Sequence, residues 1–143
     1  MTITARPLGL VVAAALTLSG ATLAGVGPAD AAGRSYGTVL TLDSAKLQAC
    51  KVEIQRGTKY RVYGFLDNRR SRPSDKVFGR ITVQKDGKNT SQSFDTGYIR
   101  GGQESKVESV VIPRKKGFRL EVVAAGTNAG NGGTIATKKV RNC

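Results

Sequence analysis

The side chains that most often carry chemistry are scarce in this chain. It has no histidine, so the commonest general base, metal ligand and triad member is missing. Its two cysteines, Cys50 and Cys143, are the only candidates for thiolate chemistry, and most zinc sites would need them as well. What remains is carboxylates with Ser, Lys and Tyr. A carboxylate pair can run glycoside hydrolysis, and Glu104 and Glu108 fall on one face of an extended segment. Four residues of strand hold them about 13 Å apart, beyond the roughly 5–10 Å of working pairs, so both are read as surface charge. Asp86-Gly87-Lys88-Asn89 lacks the oxygen ligands of a calcium loop and is read as a hairpin turn. No catalytic residue, metal site or cofactor is expected.

Charge is the stronger signal. Lys and Arg number 23 against 10 Asp and Glu, a net +13. Three runs concentrate it: Arg69, Arg70 and Arg72; Arg114, Lys115 and Lys116; Lys138, Lys139 and Arg141. The planar fork of arginine grips phosphate and carboxylate bidentately, and so large an excess attracts polyanions and speeds encounter. The bland alternative is that the charge serves solubility alone. The partners that fit are an anionic polymer, a lipid headgroup, a nucleic-acid backbone or an acidic protein surface. No base-reading motif is present, so nucleic-acid contact would be backbone-driven, without sequence-specific recognition. Tyr98, between Gly97 and Arg100, is the aromatic placed in a loop near basic groups. It either walls a site or plugs the end of the core.

The N-terminus sets the compartment. Arg6 precedes an uncharged stretch from Leu8 to Gly27, densest in apolar residues over Leu8–Leu18, and Pro28 then breaks it. Ala29-Asp30-Ala31 puts small residues where a signal peptidase cuts, which predicts a secretory signal peptide over 1–31 and a mature domain over 32–143. A membrane anchor competes, because about 20 uncharged residues approach a bilayer span. Gly9, Gly20, Gly25 and Gly27, with Thr17, Ser19 and Thr22, weaken that reading, and no positive stop-transfer cluster follows. Bacterial-type export to the cell exterior or surface is expected, without a transmembrane anchor. There, Cys50 and Cys143 read as one internal disulfide of a monomer. A bridge between chains, or two free thiols, are the competing readings.

The elements that must position these residues are strands. No segment shows helical spacing over three turns, whereas short alternating runs recur between Gly, Pro, Asn and Asp. Strands are predicted near Tyr36–Leu42, Gln48–Gln55, Lys59–Leu66, Lys76–Gln84, Asn89–Asp95, Glu104–Ile112, Phe118–Ala124 and Thr134–Asn142. A helical turn fits in Asp43–Ala49. Cys50, Val52 and Ile54 are expected to face inward, with Lys51, Glu53 and Gln55 outward. Tyr63 and Phe65 fall on the face opposite Val62, so either both faces of that sheet are covered or an apolar patch is exposed. The fold class is all-β: a single antiparallel β-sandwich of about eight short strands, with a barrel as the alternative.

If each strand crosses the domain once, successive connections alternate between its two ends. The long loops near 43–47, 67–75, 96–103 and 125–133 then share one end, and the turns at 56–58, 85–88 and 113–117 the other. Long loops on a rigid scaffold are the usual place for binding. The expected anion-binding residues are therefore Arg69, Arg70, Arg72, Tyr98 and Arg100, beside the Gly-rich segment Gly126–Gly133. Arg114, Lys115 and Lys116 form a secondary cluster on turns expected to be convex. The functional expectation is a secreted, non-catalytic protein engaging an anionic partner through basic loops. The alternative is a protein-docking module, such as an inhibitor of an extracellular hydrolase or a toxin.

Overall fold

Residues 33–143 are described by the computed structural model; the expected signal peptide, 1–31, lies outside them. The alternating runs form β1 (Gly37–Leu42), β2 (Ala45–Ile54), β3 (Lys59–Asp67), β4 (Lys76–Lys85) and β5 (Lys88–Asp95). They are followed by β6 (Ile99–Arg100), β7 (Glu108–Pro113), β8 (Phe118–Gly126) and β9 (Gly130–Ile135), then a 3-10 turn over Thr137–Lys139. One antiparallel sheet has the order β1-β2-β3-β7 and the other β5-β4-β8-β9, with β6 paired to the start of β4. The described residues form an all-β, sandwich-like fold.

Both sheets contribute to one core. Leu47, Val62, Leu66 and Ile112 from the first sheet and Ile81, Val83, Leu120 and Val122 from the second are fully buried in a single cluster. Each alternates with a polar or half-buried neighbour, as one-sided burial of a sheet requires. Two glycines mark where the layers press closest. A Cβ on Gly64 would stand 2.7 Å from Phe94 Cζ, and one on Gly79 would stand 2.9 Å from Leu47 Cδ1.

The turns set the register. Asp86 and Gly87, both at positive φ, join Lys85 to Lys88 in the tight hairpin that Asp-Gly favours. The β1–β2 connection differs from the expected helical turn. Leu42 pairs with Ala45, and only Asp43 and Ser44 lie between, Asp43 at φ 51°. Aspartate tolerates that left-handed conformation through its short, locally bonding side chain. Two other boundaries move. The seventh strand starts at Glu108 rather than Glu104, and Glu104 makes an isolated bridge to Asp67. The ninth strand takes in half of the Gly-rich segment, starting at Gly130, and stops at Ile135 well short of Asn142.

The disulfide Cys50–Cys143 is formed, on a geometry other than the expected one. Leu47 and Ala49 belong to the core cluster, so Cys50 points to the opposite, outer face of its sheet, beside Tyr63. That face is covered: Tyr36 packs edge-on against Phe65 at 5.0 Å, and Arg34 lies over the Tyr63 ring at 3.9 Å. No final strand delivers Cys143. After the 3-10 turn the chain crosses to the first sheet, where Arg141–Cys143 pairs along β2 beyond the end of β1. Lys51 N–H donates to Arg141 O (2.8 Å), and Cys143 N–H donates to Lys51 O (3.0 Å). The strap thus ties the second sheet's last strand to the first sheet.

Candidate functional site

Strand direction sorts the connections as the alternation predicts. Gly102 N–H donates to Asn68 O (3.0 Å), Gly101 N–H to Asp75 O (2.8 Å), and Asn131 Nδ2 to Thr41 O (3.0 Å). The loops after β1, β3, β6 and β8 therefore share one end. At the other, Arg114 N–H donates to Thr58 O (2.9 Å) and Asp86 N–H to Gly117 O (2.9 Å).

At the loop end two of the five expected residues, Arg69 and Arg70, share a cavity, and Arg72, Tyr98 and Arg100 stand outside it. Arg69 is held by Asp67 in a bidentate pair, Nε to Oδ1 and Nη2 to Oδ2, both 2.9 Å, and Glu104 lies 3.6 Å from its Nη1. Hydrogen bonds from Arg69 hold the Asp67 carboxyl below its ordinary value, and Asp67 in turn raises the guanidinium. The fork that would grip a phosphate is already filled. Arg70 lines a cavity of about 420 Å³ together with Arg69, Lys46, Ser44 and Asp67. Arg72 is fixed by its backbone instead: Arg72 N–H donates to Asp75 Oδ2, Asp75 N–H donates to Arg72 O, and Gly101 packs on that carbonyl so closely that no Cβ could fit. Arg100 pairs with Lys76 across β6–β4. Tyr98 leaves the arginines altogether. Its ring meets Phe78 edge-on at 5.2 Å on the outer face of the second sheet, and Arg80 lies 5.7 Å from the Phe78 ring. The cleft among the loops, about 380 Å³, is lined by Asp43 and Asp75 with Lys76, and by none of the five expected residues.

The turn end is built differently. The residues at its strand termini and turns include ten basic ones, Arg56, Lys59, Lys85, Lys88, Arg114, Lys115, Lys116, Arg119, Lys138 and Lys139, against Glu53 and Asp86. All ten are exposed except Lys59, which is half-buried. Two clusters that are separate in sequence meet there. Because β9 runs toward this end, the 3-10 turn carries Thr137 and Lys138 to the β7–β8 turn, and together with Tyr60, Pro113, Arg114, Lys115 and Phe118 they line a cavity of about 350 Å³. The end expected to be convex holds a concave basic mouth between the sheets.

Tyr60 forms its floor and is clasped by cations. Arg114 stands 5.4 Å from the ring centre and Lys51 5.6 Å, both within cation–π reach. Arg114 also pairs with Glu53 at 2.9 Å. Lys51 is buried and donates its ammonium to Val140 O; burial lowers its pKa, and Glu53 partly offsets this. With cations at its ring, Tyr60 is a poor stacking platform for a base or sugar, so the mouth can recognise charge rather than an aromatic face. Lys115 and Lys138 take part in none of the ion pairs among the described residues. This site could be found from sequence only by ending the last strand early enough to place Lys138 beside Lys115.

Among the described residues, no group of three or more potential metal ligands occurs. No helix among them is long and apolar enough to cross a membrane. No protein-family model, curated protein or solved structure matches the chain.

Proposed function

We propose that this chain is an exported β-sandwich protein that binds an anionic partner through its turn end, without catalysis. The observation that carries the reading is the charge asymmetry: ten basic residues against two acidic ones at the turn end. At the loop end, Asp43, Asp67, Asp75 and Glu104 are interspersed with the arginines. Like charges gathered at one end, around a mouth whose Lys115 and Lys138 join no ion pair among the described residues, concentrate the field where an extended polyanion can lie. Export is supported by the disulfide and by the signal-like residues 1–31.

The test is binding of long-chain polyphosphate to the mature domain as salt is raised from 50 to 200 mM. Four phosphate contacts on a flexible polyanion should weaken affinity about 50-fold over that range. An affinity that stays level would reject the reading. A protein-docking module is the second reading, favoured by Tyr98, the one large hydrophobic side chain that stays exposed (64%) among the described residues. Docking through an apolar anchor would show the level salt response.

A further inference from the structure

Pro113 and Phe118 line two adjoining cavities at the turn end. One is the basic mouth; the other, about 450 Å³, follows the free edge of β7. Its apolar wall is Ile54, Val83 and Val111 with Pro113 and Phe118, and its only charged lining residues are Lys59 and Arg61. No carboxylate lines either cavity, whereas Asp43 and Asp75 line one loop-end cavity and Asp67 the other. A chain of repeating charges has nothing to bury against Val111 and Phe118. An anion carrying an alkyl chain does.

Resting on the turn-end reading, the geometry points to an anionic amphiphile, an alkyl phosphate, as the ligand. The phosphate sits in the mouth against Lys115 and Lys138, beside Arg114, which Glu53 holds at 2.9 Å, and the chain crosses Pro113 and Phe118 into the second cavity along Val111. No carboxylate lines that path, whose only charged residues are Lys59 and Arg61. Thr137, which also lines the mouth, supplies a hydroxyl donor to the headgroup. Affinity then has two separable sources: charge, which salt screens, and apolar burial, which it does not.

The experiment is calorimetric titration of the mature domain with butyl, hexyl and octyl phosphate as monomers, at fixed ionic strength. Inorganic phosphate serves as the head alone and octyl glucoside as the tail alone. Affinity should rise roughly tenfold for each two carbons added, with octyl phosphate above both controls. Val111→Thr, which keeps a β-branched strand residue, should cut the gain at octyl several-fold and leave polyphosphate binding unchanged. A series flat from butyl to octyl, octyl glucoside binding as tightly as octyl phosphate, or an unaltered series in Val111→Thr would each overturn the proposal. If polyphosphate still binds when the series is flat, only the amphiphile fails and the polyanion reading stands. Co-sedimentation with phosphatidic acid vesicles then assigns the bound amphiphile: pelleting to a bilayer, retention in the supernatant to a soluble carrier.

Discussion

Lys51 donates its ammonium to the carbonyl of Val140, 89 residues away in sequence and buried with it. The neighbouring Cys50 is bonded to Cys143. One dipeptide of β2 thus holds the C-terminal strap twice, by a covalent bond on the outer face and a charged hydrogen bond on the inner one. The lysine is retained at a desolvation cost because the Val140 carbonyl would otherwise be buried without a partner.

That cost gives a pH signature. Burial lowers the folded-state pKa of Lys51 below its ordinary 10.5, so between the two values the unfolded chain carries a proton that the folded one does not. Stability therefore rises with pH through that window. The wild-type protein should gain stability relative to Lys51→Met as pH climbs from neutral toward 10.5, read from urea midpoints of both at each pH. The Lys51 side-chain nitrogen, followed by NMR, should titrate below 10.5. An ordinary or raised pKa would contradict the burial.

The strap itself should be the first part to leave. Replacing both Cys50 and Cys143 by serine removes a crosslink spanning 93 residues, and is expected to cost about 2–4 kcal/mol in urea unfolding. Amide exchange should quicken over 136–143 before it quickens in β4 or β8, because termini fray unless tied. The intact protein should be a monomer two hydrogens lighter than its dithiol form. Uniform loss of protection in the double variant would mean that the strap is integral to the core.

What the sequence shows of this fold is local. Period-2 alternation in Val62–Leu66 and Ile81–Val83, and Asp86-Gly87, identify strands and a hairpin because one residue's neighbours suffice. Asp43-Ser44 turns the chain as tightly with no glycine to mark it. The face of Cys50 could not be read for a physical reason. Cys50, Val52 and Ile54 are more apolar than Lys51 and Glu53, yet the face is set upstream by Leu47 and Ala49 in the core. The strap and the disulfide then cover the apolar outer side. The candidate site was legible as charge but not as place. Arg69 looked free until its strand brought Asp67 and Glu104 beside it, and Lys138 looked remote from Lys115 until the last strand ended early.

The Asp67–Arg69 pair can be tested directly. Hydrogen bonds from Arg69 depress the Asp67 pKa from 3.8, so the pair stabilises the fold above that value and is lost as pH falls through the folded-state pKa. In Arg69→Ala the Asp67 carboxyl should titrate closer to 3.8, as followed by carboxyl carbon NMR. The effect on polyphosphate affinity should be small, since the guanidinium is committed to its carboxylates. A large loss of affinity would return Arg69 to the binding surface.

The last expectation separates a site from a diffuse field. Arg70→Ala with Arg72→Ala, and Lys115→Ala with Lys138→Ala, each remove two positive charges, and none of the four residues takes part in an ion pair among the described residues. If attraction depended on net charge alone, the two variants would lose polyphosphate affinity equally. The ends are about 30 Å apart along strands of this length, several times the roughly 8 Å screening length at physiological salt, so each pair acts only where it stands. Removing Lys115 and Lys138 should therefore lower the slope of log affinity against log salt by about 1.4, two phosphate contacts on a flexible chain. Removing Arg70 and Arg72 should leave the slope as it was and change affinity by less than about twofold. Equal losses would show that the basic charge acts as a whole. A larger loss from the arginine pair would place the ligand in the cavity shared by Arg70 and Lys46, and the turn end would then be solubilising charge.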